Sequence, residues 1–157
     1  MNCKTPNGIE RDSSGTQINA QAQGLFIPGW ALAEMLSHVR SCLPEEACGF
    51  LGGLRGTVEQ VLPVENELHS ASRYRMQPHQ QYQAMMKIEA DGLGLVGIFH
   101  SHPHGPEFPS NSDLNEAAIP GALHLIWAPG NGDWRCRAFL LEDGKVHEVP
   151  IRIEDSS

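Results

Sequence analysis

Residues 95–113 read Leu-Val-Gly-Ile-Phe-His-Ser-His-Pro-His-Gly-Pro-Glu-Phe-Pro-Ser-Asn-Ser-Asp. The first five are apolar on both faces of an extended chain, as expected of a central strand covered by helices. That strand ends on His100. Because side chains alternate along a strand, His100 and His102 leave the same face with Cα atoms roughly 6–7 Å apart, and two imidazoles can converge on one ion. Zinc favours neutral imidazole nitrogen and carboxylate oxygen at about 2.0–2.2 Å, and a catalytic site keeps a fourth position for water, so a third protein ligand is required. Asp113 meets that need. The loop after His102 leads into a short helix expected from about Ser110 to Ala118 and stopped by Pro120-Gly121, and Asp113 sits in its first turn, at the positive end of the helix dipole. Each part also has a plainer reading: a lone H-x-H is common on surfaces, and Ser110-x-x-Asp113 alone is a capping box without a metal. Together they form H-x-H-P-x6-S-x-x-D, five identities across fourteen residues, which neither plain reading explains.

Outward from this segment, strand and helix signals alternate. Leu25-Phe26-Ile27 is a short strand running into Pro28, and Leu32, Met35, Leu36 and Val39 recur at i, i+3, i+4 and i+7 as one amphipathic helix ending near Leu43-Pro44. Residues 47–54 and 57–64 read as a hairpin turning at Arg55-Gly56. Pro78 stands at the first position of a second helix, whose apolar side is expected to comprise Tyr82, Met85, Met86 and Ile88, with Gly92 and Gly94 closing it. Downstream, residues 123–127, 134–141 and 146–153 read as three strands separated by Pro-Gly-Asn-Gly and Glu-Asp-Gly turns. The sum is an α/β fold, a mixed sheet flanked by helices. Residues 1–24 hold almost no large apolar side chain and cannot offset the entropy of ordering, so they read as a disordered tail before one domain over 25–157.

A chain of 157 residues can bury a sufficient core without disulfides or zinc staples. Its 11 Lys plus Arg against 19 Asp plus Glu leave a formal charge of −8, which repels a phosphate backbone and argues against nucleic acid as partner. The cysteines, Cys3, Cys42, Cys48 and Cys136, form no CxxC pair and suggest neither a zinc ribbon nor a disulfide framework, which fits a reducing cytoplasm. No apolar stretch suits a signal peptidase or a bilayer. Cys48 reads as a buried structural thiol. Gly49, Gly52 and Gly53 lack the Lys-Ser/Thr of a phosphate loop and read as sites of close backbone packing. His69, His79, His104 and His124 read as ordinary surface or hydrogen-bonded histidines and are assigned no role.

His100-Ser101-His102-Pro103, Ser110 and Asp113 resemble the signature of the JAMM (MPN+) zinc metalloproteases, without gaps. Pro44-Glu45-Glu46-Ala47-Cys48-Gly49 resembles the segment that carries the family's acid/base glutamate; its P-x-E-x-C-G pattern singles out Glu46 and leaves Glu45 to solvent. Asn66, Ser72-Arg73-Tyr74 and Met76-Gln77-Pro78 resemble the compact stand-alone bacterial members, so the likeness runs from Leu25 to Ile153. It implies the JAMM/MPN fold, a curved, cytidine-deaminase-like mixed sheet. It also implies one catalytic zinc on His100, His102 and Asp113, with Glu46 taking a proton from the zinc-bound water and returning it to the departing amine. Zinc and the Ser110 hydroxyl would stabilise charge growing on the carbonyl oxygen.

The compact members act on ubiquitin-like sulfur-carrier proteins, so the resemblance implies a substrate with a C-terminal Gly-Gly tail, cut at a peptide or isopeptide bond after it. Residues without side chains also thread a narrow groove and can pair with a strand edge. The alternatives are a deubiquitinase-like isopeptidase acting on lysine-linked modifiers, a non-catalytic MPN-type binding module, and a cupin. The cupin resemblance rests on Gly94-x5-His100-x-His102-x4-Glu107; it lacks the later P-x-G-x-x-H element and has two helices before the histidines. Zinc deaminases are excluded because H-x-E and P-C-x-x-C are missing. Oligomeric state is left open.

Overall fold

The computed structural model describes residues 24–115, 119 and 121–154. Residues 1–23 of the expected tail, and 116–118 of the expected short helix, lie outside the described residues. In chain order the elements are β1 (Leu25–Pro28), α1 (Gly29–Cys42), β2 (Cys48–Leu54), β3 (Thr57–Val64), α2 (Pro78–Ala90), β4 (Gly94–Ser101), α3 (Asn111–Asn115), β5 (Leu123–Gly130), β6 (Asp133–Glu142), β7 (Lys145–Val149) and β8 (Ile151–Glu154). All eight strands join one sheet in the order β7-β6-β5-β4-β2-β3-β1-β8. It is mixed, with β4–β5, β1–β3 and β1–β8 parallel and the other neighbours antiparallel.

The stretch 146–153, expected as one strand, is two. Pro150 lacks an N–H to donate and interrupts the ladder. The chain before it pairs with β6 as β7, and the chain after it pairs with β1 as β8. These are the opposite edges of the sheet, separated in sequence by one residue, so the sheet must curl until its edges nearly meet. The Leu25 N–H closes the seam on the Pro150 carbonyl at 2.8 Å.

Two apolar clusters cover the two faces. On one, Ala31, Met35 and Val39 of α1 pack with Leu51, Phe99, Leu125 and Ala138. On the other, Ala84 and Ile88 of α2 pack with Cys48, Phe50 and Ile98. The stripe expected on α2 is corrected: Tyr82, Met85 and Met86 are exposed, and only Ile88 of the four is buried. Ala84 and Ile88, one turn apart, define the inward line, and Tyr82 and Met86 fall on the far side of the helix. The small Ala84 lets the helix approach the sheet.

β4 serves both clusters by strand alternation, and that alternation shifts once. Leu51 faces Gly97 but Gly52 faces Leu95, so Val96 is an extra residue in a bulge. Beyond it Phe99 and Ser101 point to the α1 face, while Ile98 and His100 point to the α2 face. Gly49 is the close approach on the neighbouring strand: a Cβ there would stand 2.5 Å from the Phe99 ring and 2.6 Å from the Leu62 carbonyl oxygen.

Candidate metal centre

The end of β4 brings His100 and His102 together. Their Nε2 atoms lie 3.1 Å apart, and each lies 3.2 Å from Asp113 Oδ2. His100 is fully buried and the other two are nearly so. Three lone-pair atoms this close need a positive centre between them, and a proton on one imidazole serves only part of the triangle. Ligand atoms held tetrahedrally by zinc at about 2.0–2.1 Å are separated by about 3.3–3.4 Å, so the observed triangle matches one face of such a site to within a few tenths of an ångström. The tautomer also fits. His102 Nδ1 donates to the Pro106 carbonyl at 2.8 Å, which leaves Nε2 as the lone-pair nitrogen.

His100 has no such anchor: its Nδ1 has no hydrogen-bond partner among the described residues. Its ring is held by packing instead, stacked against Tyr74 with centroids 4.6 Å apart and planes 27° from parallel.

Asp113 reaches the histidines through local chain geometry. Ser110 Oγ accepts the Asp113 N–H at 3.1 Å, and Asp113 Oδ2 accepts the Ser110 N–H at 2.8 Å. This is the reciprocal capping bond set, so the plain reading of Ser110-x-x-Asp113 holds together with the metal reading: the cap aims the carboxylate. The loop from His102 to Ser110 is fastened by Glu107, which faces Arg135 and Arg137 of β6, and by Phe108, edge-on to Phe139 at 5.2 Å.

Glu46 lies just before β2, 4% exposed, and a carboxylate oxygen comes within 4.8 Å of nitrogens from both histidines. Glu46 and Asp113 thus both compete for the third ligand position. The 3.2 Å edges favour Asp113 as the third donor. Three connections hold Glu46 there. Ser101, between the histidines, accepts the Ala47 N–H on Oγ at 2.8 Å and donates its own N–H to the Ala47 carbonyl at 3.0 Å. From the other side, the buried Asn66 amide donates to the carbonyls of Glu46 and Arg73, both at 3.1 Å, while its oxygen accepts from Leu68 and Arg75 N–H groups. The Glu46 N–H itself donates to the Ser70 carbonyl at 2.8 Å.

The electrostatics separate the two carboxyls. Burial pushes the Glu46 carboxyl up to about 8, against the lowering pull of His102. Burial would also raise Asp113, but its bonds with both histidines hold it well below the usual carboxylate range. Burial lowers His100; it would lower His102 too, but Asp113, the Pro106 carbonyl and Glu46 together raise that ring.

All five residues singled out from sequence therefore meet at one place, and Ser101, Asn66 and Tyr74 join them as supports. Glu45 turns outward to His69 at 3.1 Å. Cys48 is buried with its thiol toward the Val64 carbonyl at 3.4 Å. His79 and His104 are exposed, whereas His124 is buried beside the site.

Comparison with known proteins agrees with this arrangement. Residues 30–140 match the model of the prokaryotic homologs of the JAB domain. The chain is 35% identical over 131 residues to a desampylase of Pyrococcus furiosus, covering 83% of this chain and 91% of that one. It is 32% identical over 123 residues to a CysO-cysteine peptidase of Mycobacterium tuberculosis, covering 76% and 84%. A solution structure from Desulfitobacterium hafniense superposes with a TM-score of 0.77 at 34% identity, covering 84% of this chain and 94% of that one. With signature, fold and donor geometry in agreement, the chain belongs to the prokaryotic JAB-domain family of JAMM-type zinc metallopeptidases.

Proposed function

We propose that the protein hydrolyses the peptide or isopeptide bond that follows the C-terminal Gly-Gly of a ubiquitin-like sulfur-carrier protein, with His100, His102 and Asp113 holding one zinc ion and Glu46 as the acid/base. The observation that carries this reading is the separation of roles in space: three donors share a 3.1–3.2 Å triangle, and one buried carboxyl stands outside it within 4.8 Å of the histidine nitrogens. Zinc held by three protein ligands supplies Lewis acidity, making a water acidic near neutral pH and polarising a carbonyl.

Glu46 receives the proton of the attacking water and passes it to the departing nitrogen. The C–N bond breaks, the carbonyl carbon keeps the water oxygen, and the products are a Gly-Gly carboxylate and a free amine. Ser110 already accepts the Asp113 N–H, and its own O–H can donate to the carbonyl oxygen as charge develops there. The two relatives support the substrate class, since one is named for cleaving a cysteine adduct and the other for removing a protein modifier.

The same reading places the protein in the cytoplasm, supported by the free cysteines among the described residues, Cys42, Cys48 and Cys136. Among the described residues no helix is long and apolar enough to cross a membrane.

The test is incubation of zinc-loaded protein with carriers extended beyond Gly-Gly, read by mass spectrometry. Release of the extension is expected, with Glu46→Gln retaining zinc and losing about 10²–10⁴ in kcat. Near-normal turnover in that variant removes Glu46 from the mechanism, and zinc retained in full by Asp113→Asn removes Asp113 from the ligand set.

A further inference from the structure

Of the two histidines, only His100 lies within β4, which ends at Ser101. His102 begins the loop. Its N–H donates to the Trp127 carbonyl at 2.8 Å, which fixes its backbone but not its ring. The ring is set by the bond from Nδ1 to the Pro106 carbonyl. A peptide unit is planar, so the Pro106 carbonyl and the Glu107 N–H turn as one body, and whatever holds residue 107 also orients that carbonyl. Pro106 brings no N–H of its own to anchor the turn.

The seat for Glu107 is built by three residues at the β5–β6 end of the sheet. Residues 126, 128 and 130 pair with 137, 135 and 133, and Ile126 pairs with His100, so Gly130, Arg135 and Arg137 share the face that carries His100. Glu107 Oε1 lies 3.6 Å from Arg135 Nε and 3.8 Å from Arg137 Nη1. Arg137 is itself placed by Glu148 of β7, to which it donates twice, at 2.9 and 2.6 Å. Gly130 makes the room: a Cβ on it would overlap Glu107 Oε2 and stand 3.0 Å from Arg135 Cδ. Its φ is not positive, so the backbone would accept a side chain that the seated carboxylate forbids. Phe108, the other contact of the loop, is exposed and meets Phe139 edge-on, which presses the loop to the sheet without setting a peptide plane.

We infer that Glu107 is a positioning residue for the metal centre: its carboxylate, seated over Gly130 beside Arg135 and Arg137, turns the Pro106 carbonyl onto His102 Nδ1 and so aims His102 Nε2 at the ion. This rests on the metal reading and adds to it a residue outside the donor set. Ion pairs at this separation and exposure add little to stability, so the effect belongs to the metal site and not to the fold. Outer partners that orient a ligand ring and raise its basicity commonly change metal affinity about 10–100-fold when lost.

Two substitutions disturb the seat from opposite sides without altering a donor: Glu107→Ala empties it, and Gly130→Ala fills it. Each should weaken zinc binding, measured by chelator competition, about tenfold or more, with the metal-free melting temperature near wild type. The double variant should bind no more weakly than Glu107→Ala alone, because the added methyl then meets no carboxylate. A second readout is the His102 Nδ1–H in nitrogen-edited proton NMR spectra of zinc-saturated protein. In wild type it should lie downfield and exchange slowly with water; in both single variants it should move upfield and exchange faster, with the His100 resonance unchanged. Wild-type zinc affinity in either single variant, additive losses in the double variant, or an unmoved His102 resonance overturns the role of Glu107. So does a loss of zinc that tracks a fall in the metal-free melting temperature. Failure of the wild type to bind zinc sinks the metal reading instead, and the His102 resonance in metal-free protein then decides whether Glu107 holds the ring: unmoved in both variants, it overturns the inference.

Discussion

Glu46 is a carboxyl group where a carboxylate is poorly tolerated, and that has a thermodynamic signature separate from turnover. Burial raises it from an ordinary 4.5 to about 8. In metal-free protein between those two pH values, the unfolded chain has released the proton and the folded chain still holds it. Stability therefore falls as pH rises through this window and levels off above about 8, and the Glu46 contribution is absent below 4.5. Glu46→Gln removes the ionisation while keeping the shape. Metal-free Glu46→Gln should melt several degrees above metal-free wild type at pH 7–8, a gain of order 1–4 kcal/mol, and the two melting curves should converge toward pH 4.5. Thermal melts in chelator across that range measure it; a pH-independent difference would show that ionisation is not the cause. On the proposed mechanism the substitution that stabilises the fold would also remove the acid/base step, the usual cost of a functional group held in an unfavourable site.

At the scale of elements, the site depends on how the end of β4 is tied to the segment before β2. Ser101 makes both bonds to Ala47, and the residue before Ala47 is Glu46. Ser101→Ala would leave a buried Ala47 N–H without its acceptor, at a cost of about 1–3 kcal/mol. The histidine–aspartate triangle does not use the Ser101 hydroxyl. Zinc content should therefore stay near wild type while kcat falls about tenfold or more, and in a Glu46→Gln background the further loss in kcat should vanish, because the hydroxyl acts through Glu46. A proportional loss of zinc and kcat would place Ser101 in the general integrity of the strand.

The division between what sequence shows and what it conceals follows from chain distance. His100, His102, Ser110 and Asp113 lie on one continuous segment, so strand alternation and a capping pattern place them with little outside help. Glu46 is fifty-four residues from His100 and was legible only through family resemblance. Asn66 shows no role in sequence, since a buried amide bridging Glu46, Arg73 and Arg75 exists only once the 66–76 loop has folded. Tyr82, Met85 and Met86 misled because large apolar side chains outweigh a small inward residue such as Ala84 in any reading by hydrophobicity. Residues 146–153 looked like one strand because the partner of β8, which is β1, lies over a hundred residues upstream.

For the molecule as a whole, the question is whether the fold needs its metal. Two apolar clusters pack on opposite faces of an eight-stranded sheet, and the second includes Phe50, Val64, Ile88 and Ile98 without any help from His102 or Asp113. A zinc finger unfolds without zinc because it has no such core; this chain has two. Metal bound only by the folded state still adds stability by mass action, about 4 kcal/mol when free ion exceeds its Kd a thousandfold. Chelation should therefore lower the melting temperature by roughly 10–20 °C while leaving the far-ultraviolet circular dichroism spectrum at room temperature unchanged. Acidification should act the same way. Burial opposes a charge on His102, yet Asp113, the Pro106 carbonyl and Glu46 raise its affinity for a proton, and that proton competes with the ion for Nε2. The zinc-dependent part of the melting temperature should shrink as pH falls from 7 to 5, and restoring pH and zinc together should recover both it and turnover. Collapse of the spectrum on chelation would mean that the metal centre, and not the two cores, holds the sheet closed.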